Sequence, residues 1–136
     1  MSLHLTSETL NIMRGFEMIT GARVLDCIDS DGMLYFVVPE FQLSKALGHH
    51  ASKVQRLKKQ FSRDIKIVEL KQTPIAFMAS IIWPLDCEIK QDGASLTLIA
   101  KDRKTKALLI GRNAKNLSII TSIIQRHFDI QSVNIA

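Results

Sequence analysis

Two short clusters in this chain have the residue types to hold a phosphate group. One is Gly48-His49-His50-Ala51 with Lys53 and Arg56 behind it; the other is Gly111-Arg112-Asn113-Ala114 with Lys115 behind it. A glycine lets a sugar-phosphate backbone approach the main chain closely, and the N–H groups opening the next helix sit at the positive end of its dipole. Lys58 and Lys59 extend the first cluster. Each feature also has a plain structural reading, with the two glycines as helix C-caps and the lysines as a solvated helix face. The recurrence of one arrangement at two places favours the phosphate-facing reading.

Other reactive residues point to little chemistry. His49 and His50 are a potential metal or base pair, yet as sequence neighbours they should point in different directions, and no carboxylate or cysteine lies close by. An exposed loop pair is the expectation. Cys27 and Cys87 are too few for a disulfide framework and lack the nearby ligands of a zinc site, so they read as small core residues. No carboxylate pair and no nucleophile with an adjacent base emerges, so an enzyme is the poorest reading, and neither cofactor nor metal is expected. The net charge of +5 favours a polyanionic partner without specifying which one.

The elements that would position these clusters follow from periodicity and punctuation. The 136 residues include 46% hydrophobic and 23% charged, which describes an ordinary folded chain of one or two small domains. Thr6 or Ser7 can cap a first helix with Leu10, Met13, Phe16 and Ile19, or Ile12, Phe16 and Ile19, as its apolar stripe and Gly21 as its end. Ala22 to Ile28 and Met33 to Val38 read as strands joined at Asp31-Gly32. A helix from about Phe41 to Leu47 stops at Gly48, another carries Val54, Leu57 and Phe61, and Asp64 to Leu70 reads as a strand.

The order then repeats. Thr73 caps and Pro74 opens a helix. Leu85, Cys87 and Ile89 alternate with charged residues in a strand, Asp92-Gly93 turns the chain, and Ala94 to Ala100 returns. Asp102 caps a helix ending at Gly111, Lys115 to His127 is helical with Leu117, Ile120, Ile123 or Ile124 and Phe128 on one face, and Ile130 to Ile135 is the last strand. Leu25-Asp26-Cys27 matches Leu85-Asp86-Cys87 and Gly48 matches Gly111, with an offset that drifts from 60 to 63 residues. The expected units are residues 1–72 and 73–136, rigidly docked for want of a flexible linker, with Trp83 packed in the seam between them and His127 at a helix end.

The αββααβ order with glycine-led turns between helices resembles the prokaryotic, type II, KH domain in tandem. Thr20-Gly21-Ala22, Asp26-Cys27, Phe36-Val37-Val38, Ile110-Gly111-Arg112-Asn113 and Arg126-His127-Phe128-Asp129-Ile130 are similar to the archaeal NusA-like transcription factors. The resemblance implies an α+β fold of two KH domains, each a three-stranded sheet packed against helices. It also implies a role in transcription termination or antitermination through single-stranded RNA. Ala51 and Ala114 stand where the KH pattern has its last glycine; alanine suits a right-handed helix start but not a positive φ.

By that resemblance, Leu47, Ile110, Ile65 and Ile67 or their equivalents line or support grooves holding about four nucleotides each. The RNA-facing residues expected are Gly48, His49, His50, Ala51, Lys53, Arg56, Gly111, Arg112, Asn113, Ala114 and Lys115. Arg112 gives the second turn a permanent charge and the larger share of binding, and aspartates at Gly111 and Arg112 should leave the fold intact. The first turn, with its histidines, should hold phosphate more tightly as pH falls from about 7.5 to about 5.5. Single-stranded RNA and RNA polymerase are the expected partners. The alternative is a KH-fold protein-interaction module with reduced RNA affinity. The longest uncharged run, from Gln72 to Leu85, is shorter than the ~20 residues a bilayer requires, and Met1 to Glu8 do not read as a secretory signal, so the expected place is the cytoplasm.

Overall fold

A computed structural model describes residues 6–30 and 32–136. The hairpin residue Asp31 and most of the stretch read for a secretory signal lie outside the described residues. The chain divides between Leu70 and Lys71 into two compact units with the same element order.

In the first unit, helix α1 (Ser7–Thr20) opens on a reciprocal cap. Thr9 N–H donates to Thr6 Oγ1 at 3.1 Å, and Thr6 N–H donates to Thr9 Oγ1 at 2.8 Å. These bonds satisfy donors that a helix start leaves orphaned. Gly21, at φ 71°, ends the helix, its N–H donating to Glu17 O. Ile12, Met13, Phe16 and Ile19 pack inward, while Leu10 is exposed.

Strands β1 (Asp26–Ser30) and β2 (Met33–Val38) are antiparallel, and β3 (Asp64–Glu69) lies parallel to β2 on its other side. A parallel pair needs a crossover. Helices α2 (Leu43–Leu47) and α3 (Ser52–Phe61) supply it, and the turn between them is the first cluster. Period-two alternation sends Leu34, Phe36 and Val38 into a core with Phe16, Cys27, Ala46 and Leu57. The rings of Phe16 and Phe36 stack at 4.4 Å.

The second unit repeats this plan. Thr73 caps α4 (Pro74–Ile82) by accepting from Ala76 N–H, and Pro74 takes the first helical position. Strands β4 (Glu88–Asp92), β5 (Ser95–Ile99) and β6 (Ser132–Ile135) form a sheet in that order, again antiparallel and then parallel. Between β5 and β6 run α5 (Arg103–Ile110) and α6 (Lys115–His127). Leu34 pairs with Ile65 and Phe36 with Ile67; Leu96 pairs with Val133 and Leu98 with Ile135. Val133 and Ile135 are therefore the counterparts of Ile65 and Ile67. The His127 ring stands edge-on to Phe77 at 5.6 Å, at the helix end where it was expected.

Several local expectations are corrected. The segment from Ala22 to Leu25 lies outside β1: α1 takes up two of its donors, Ala22 N–H bonding Thr20 Oγ1 and Val24 N–H bonding Glu17 Oε2, and only Leu25 N–H reaches β2, at Val37 O. Leu85 bonds back to Ile82 O in the turn after α4, so β4 starts at Glu88 and leaves Cys87 half-buried just before it. Burial, and secondarily the Asp86 carboxylate, push the Cys87 thiol above its usual range. Asp92 pairs with Ser95, so the second hairpin turns at Gly93-Ala94 rather than Asp92-Gly93. Phe41 lies outside α2 at φ 72°. Trp83, expected in a seam, has 71% of its surface exposed.

Candidate nucleic-acid interface

The turns between α2 and α3 and between α5 and α6 have one backbone shape. Gly48 (φ 75°, ψ −179°) and Gly111 (φ 75°, ψ 172°) occupy a region that only glycine enters freely. His50 (φ 52°, ψ 36°) and Ala51 (φ 57°, ψ 28°) then adopt the left-handed conformation, as do Asn113 (φ 56°, ψ 33°) and Ala114 (φ 58°, ψ 22°). Each glycine is also a C-cap: Gly48 N–H donates to Ser44 O and Gly111 N–H to Ala107 O. The C-cap reading therefore holds for both glycines.

The alanines depart from expectation. Both have positive φ, because reversing the chain into α3 and α6 takes two left-handed residues in a row. That conformation costs an L-residue roughly 1–2 kcal/mol, while glycine there gives back about 0.4–1 kcal/mol of unfolded-chain entropy. Ala51→Gly and Ala114→Gly are therefore each expected to raise stability in urea unfolding by about 0.5–1 kcal/mol. Destabilisation by either variant would refute this account of the turns.

Each turn is closed by the second residue of the following helix. Lys53 Nζ donates to Thr20 O at 2.6 Å and Lys45 O at 2.9 Å, and its matching residue, Asn116, donates from Nδ2 to Leu109 O at 2.8 Å. Two of the three Lys53 donors are thus committed to carbonyls at helix ends. Sequence reasoning placed Lys53 among phosphate contacts and overlooked Asn116. The one available signal was that the 63-residue offset aligns Lys53 with a residue that can also donate to a carbonyl. The close approach also excludes a side chain at Gly111, where a Cβ would stand 2.8 Å from Asn116 N, so aspartate at Gly111 would not leave the fold intact.

The remaining turn residues face outward. His49, His50, Ala51, Arg112, Asn113, Ala114 and Lys115 are exposed, as is Arg56 along α3. The His49 and His50 rings do not diverge; they meet edge-on with centroids 4.1 Å apart. Helices α3 and α6 start without a side-chain cap and without an acidic residue in their first turn. By contrast, Thr6, Thr73 and Asp102 cap α1, α4 and α5. The Asp102 carboxyl is held below its usual range by its bonds from Thr105, helped by Lys101 and Lys104. The turns themselves take up the first main-chain donors, Ala51 N–H bonding Gly48 O and Ser52 N–H bonding His49 O, with Ala114 and Lys115 bonding Gly111 O and Arg112 O in the same way. No side chain caps the donors of the helix turn that follows, the end of a helix dipole that favours an anion such as phosphate.

Charge separates the two sites. Residues 1–70 carry nine basic and eight acidic side chains, and residues 71–136 carry nine and five, so most of the positive excess lies in the second unit. Leu47 and Ile110, just before the turns, are half-buried, as are Ile65, Ile67 and Ile135; Val133 is buried. Among the described residues, no three His, Cys, Asp or Glu side chains come together as metal ligands, and no helix is long and apolar enough to cross a membrane.

No protein-family model matches the chain. A "Probable transcription termination protein NusA" from Halococcus morrhuae is 24% identical over 139 residues, spanning 100% of both chains. Another of the same name, from Methanocaldococcus jannaschii, is 26% identical over 137 residues, covering 98% of this chain and 75% of that one. The chain is similar over its full length to the archaeal NusA-like proteins. The crystal structure of APE1850 shares its fold, with a TM-score of 0.77 and 19% identity over 97% of this chain and 100% of that one.

Proposed function

We propose that this NusA-like chain is a non-enzymatic factor that binds single-stranded RNA through two tandem type II KH domains, residues 1–72 and 73–136. It acts on nascent transcripts with RNA polymerase in termination or antitermination, in the cytoplasm. The observation that carries this reading is the duplicated turn: a strained backbone shape, built twice, presents exposed polar residues ahead of an uncapped helix. The termination names of its relatives support the assignment to transcription. Gly48, His49, His50, Ala51 and Arg56 form the first clamp, with Lys53 mainly closing it; Gly111, Arg112, Asn113, Ala114 and Lys115 form the second.

The near-balance of charge in the first unit favours a second reading for that unit alone, in which it has become a protein-interaction module. Fluorescence anisotropy with a labelled single strand of about eight nucleotides, and with a duplex of the same length, tests the main proposal. The single strand should bind more tightly, with log affinity falling against log salt by roughly 0.7 for each phosphate neutralised. Equal affinities at moderate salt would overturn it.

A further inference from the structure

Phe41 stands where folding alone would not put a phenylalanine. Gln42 N–H donates to Pro39 O at 3.1 Å, closing a tight turn whose third residue is Phe41 at φ 72°. That position normally takes glycine or asparagine, and an aromatic residue there is a conformational outlier. The backbone is fixed in this state: Phe41 N–H donates to Glu69 Oε2 at 2.6 Å, and Glu69 is buried. No burial offsets the strain. The side chain is 86% exposed, the most exposed large hydrophobic among the described residues, whereas Phe16, Phe36 and Phe77 are fully buried.

Its place in the fold suggests what meets it. Phe41 precedes α2 and the Gly48–Ala51 turn follows it, so ring and turn mark opposite ends of a helix about 7.5 Å long. The bond to Glu69 ties the same point to the end of β3, the strand of Ile65 and Ile67. In the second unit, the offset of 63 residues that aligns Gly48 with Gly111 aligns Phe41 with Lys104. Lys104 belongs to an exposed basic group with Lys101, Arg103 and Lys106. One unit thus has an aromatic ring where the other has cations.

We propose that Phe41 is a stacking platform for one base of the bound RNA. The unit with balanced charge gains affinity from the face of a base, and the basic unit from the backbone. The fixed, strained backbone keeps the ring out in solvent, where its faces are open to such a contact, and stacking of this kind tolerates any base. This inference rests on the RNA-binding reading above.

The test uses the full chain as wild type, Phe41→Gly and Phe41→Trp, titrated with an eight-nucleotide single strand and a set of the same strand carrying one abasic site at each position. Phe41→Gly should weaken binding about tenfold without lowering the melting temperature, since glycine relieves the positive φ and no buried contact is lost. Phe41→Trp should bind within about twofold of wild type. One abasic position should weaken wild type and leave Phe41→Gly unchanged. Full affinity of Phe41→Gly for the single strand would overturn the stacking role while leaving the RNA-binding reading intact. So would a Phe41→Gly variant that keeps RNA but loses RNA polymerase, which would make the ring a protein contact. A loss of affinity matched by a loss of stability would assign Phe41 a structural role instead. Failure of the wild type to bind any single strand would overturn both readings.

Discussion

Replacing Arg112 and Asn113 together by aspartate is expected to weaken single-stranded RNA binding on the order of a hundredfold at moderate salt. A hydrogen bond to a charged group contributes about 1.5–3 kcal/mol, and each ~1.4 kcal/mol is tenfold in affinity. The double variant removes one cation and adds two anions where the proposed phosphate sits. Both positions are exposed, and aspartate tolerates the left-handed conformation of Asn113, so the fold should be unaffected. The matching variant of the first turn, His49→Asp with His50→Asp, should cost less, because that turn has no guanidinium to lose. Unchanged affinity in the Arg112/Asn113 variant, with an unchanged circular dichroism spectrum, would remove the second turn from the interface.

Gly111→Ala should lower stability by about 3 kcal/mol in urea unfolding. At φ 75° and ψ 172° any side chain is strained, at roughly 1–3 kcal/mol. The new Cβ would also lie 2.8 Å from the backbone nitrogen of Asn116 and 2.7 Å from its Cβ, and relieving such overpacking costs about 1–3 kcal/mol more. The neighbour is a helix backbone that cannot swing aside. At Gly48 the same substitution meets Lys53 Cγ at 2.6 Å, and that side chain can move only by giving up its bonds to Thr20 and Lys45. A change smaller than about 0.5 kcal/mol in Gly111→Ala would show that the turn does not need its glycine.

The parts of this fold that were legible in the sequence are those set by local chemistry. Thr6, Thr73 and Asp102 announce helix starts because their side chains accept from amides three residues ahead. Gly21, Gly48 and Gly111 announce helix ends because few other residues reach their dihedral angles. The sheets and both interhelical turns follow from these signals and from the repeat. What stayed hidden depends on partners distant in sequence or on a backbone state that residue type does not reveal. Lys53 reads as a surface cation until Thr20, thirty-three residues earlier, is seen to accept from it. Ala51 and Ala114 read as right-handed because alanine prefers that state, yet the turn forces the other. Phe41 reads as the start of a helix; its positive φ follows from the tight turn closed at Pro39 O, and the bond its N–H donates to distant Glu69 holds it there. Leu85 and Cys87 alternate like a strand, but the turn leaving α4 takes up that stretch of backbone.

The central claim is that single-stranded RNA lies against the two glycine-led turns. Photocrosslinking the full chain to a randomised single-stranded RNA pool, with the crosslinked residues mapped by mass spectrometry, tests it most directly. Crosslinks should concentrate at His49–Arg56 and Arg112–Lys115, with the second cluster the stronger and Phe41 crosslinked from the first unit. Crosslinks spread evenly over the lysines, or absent from both turns, would contradict it.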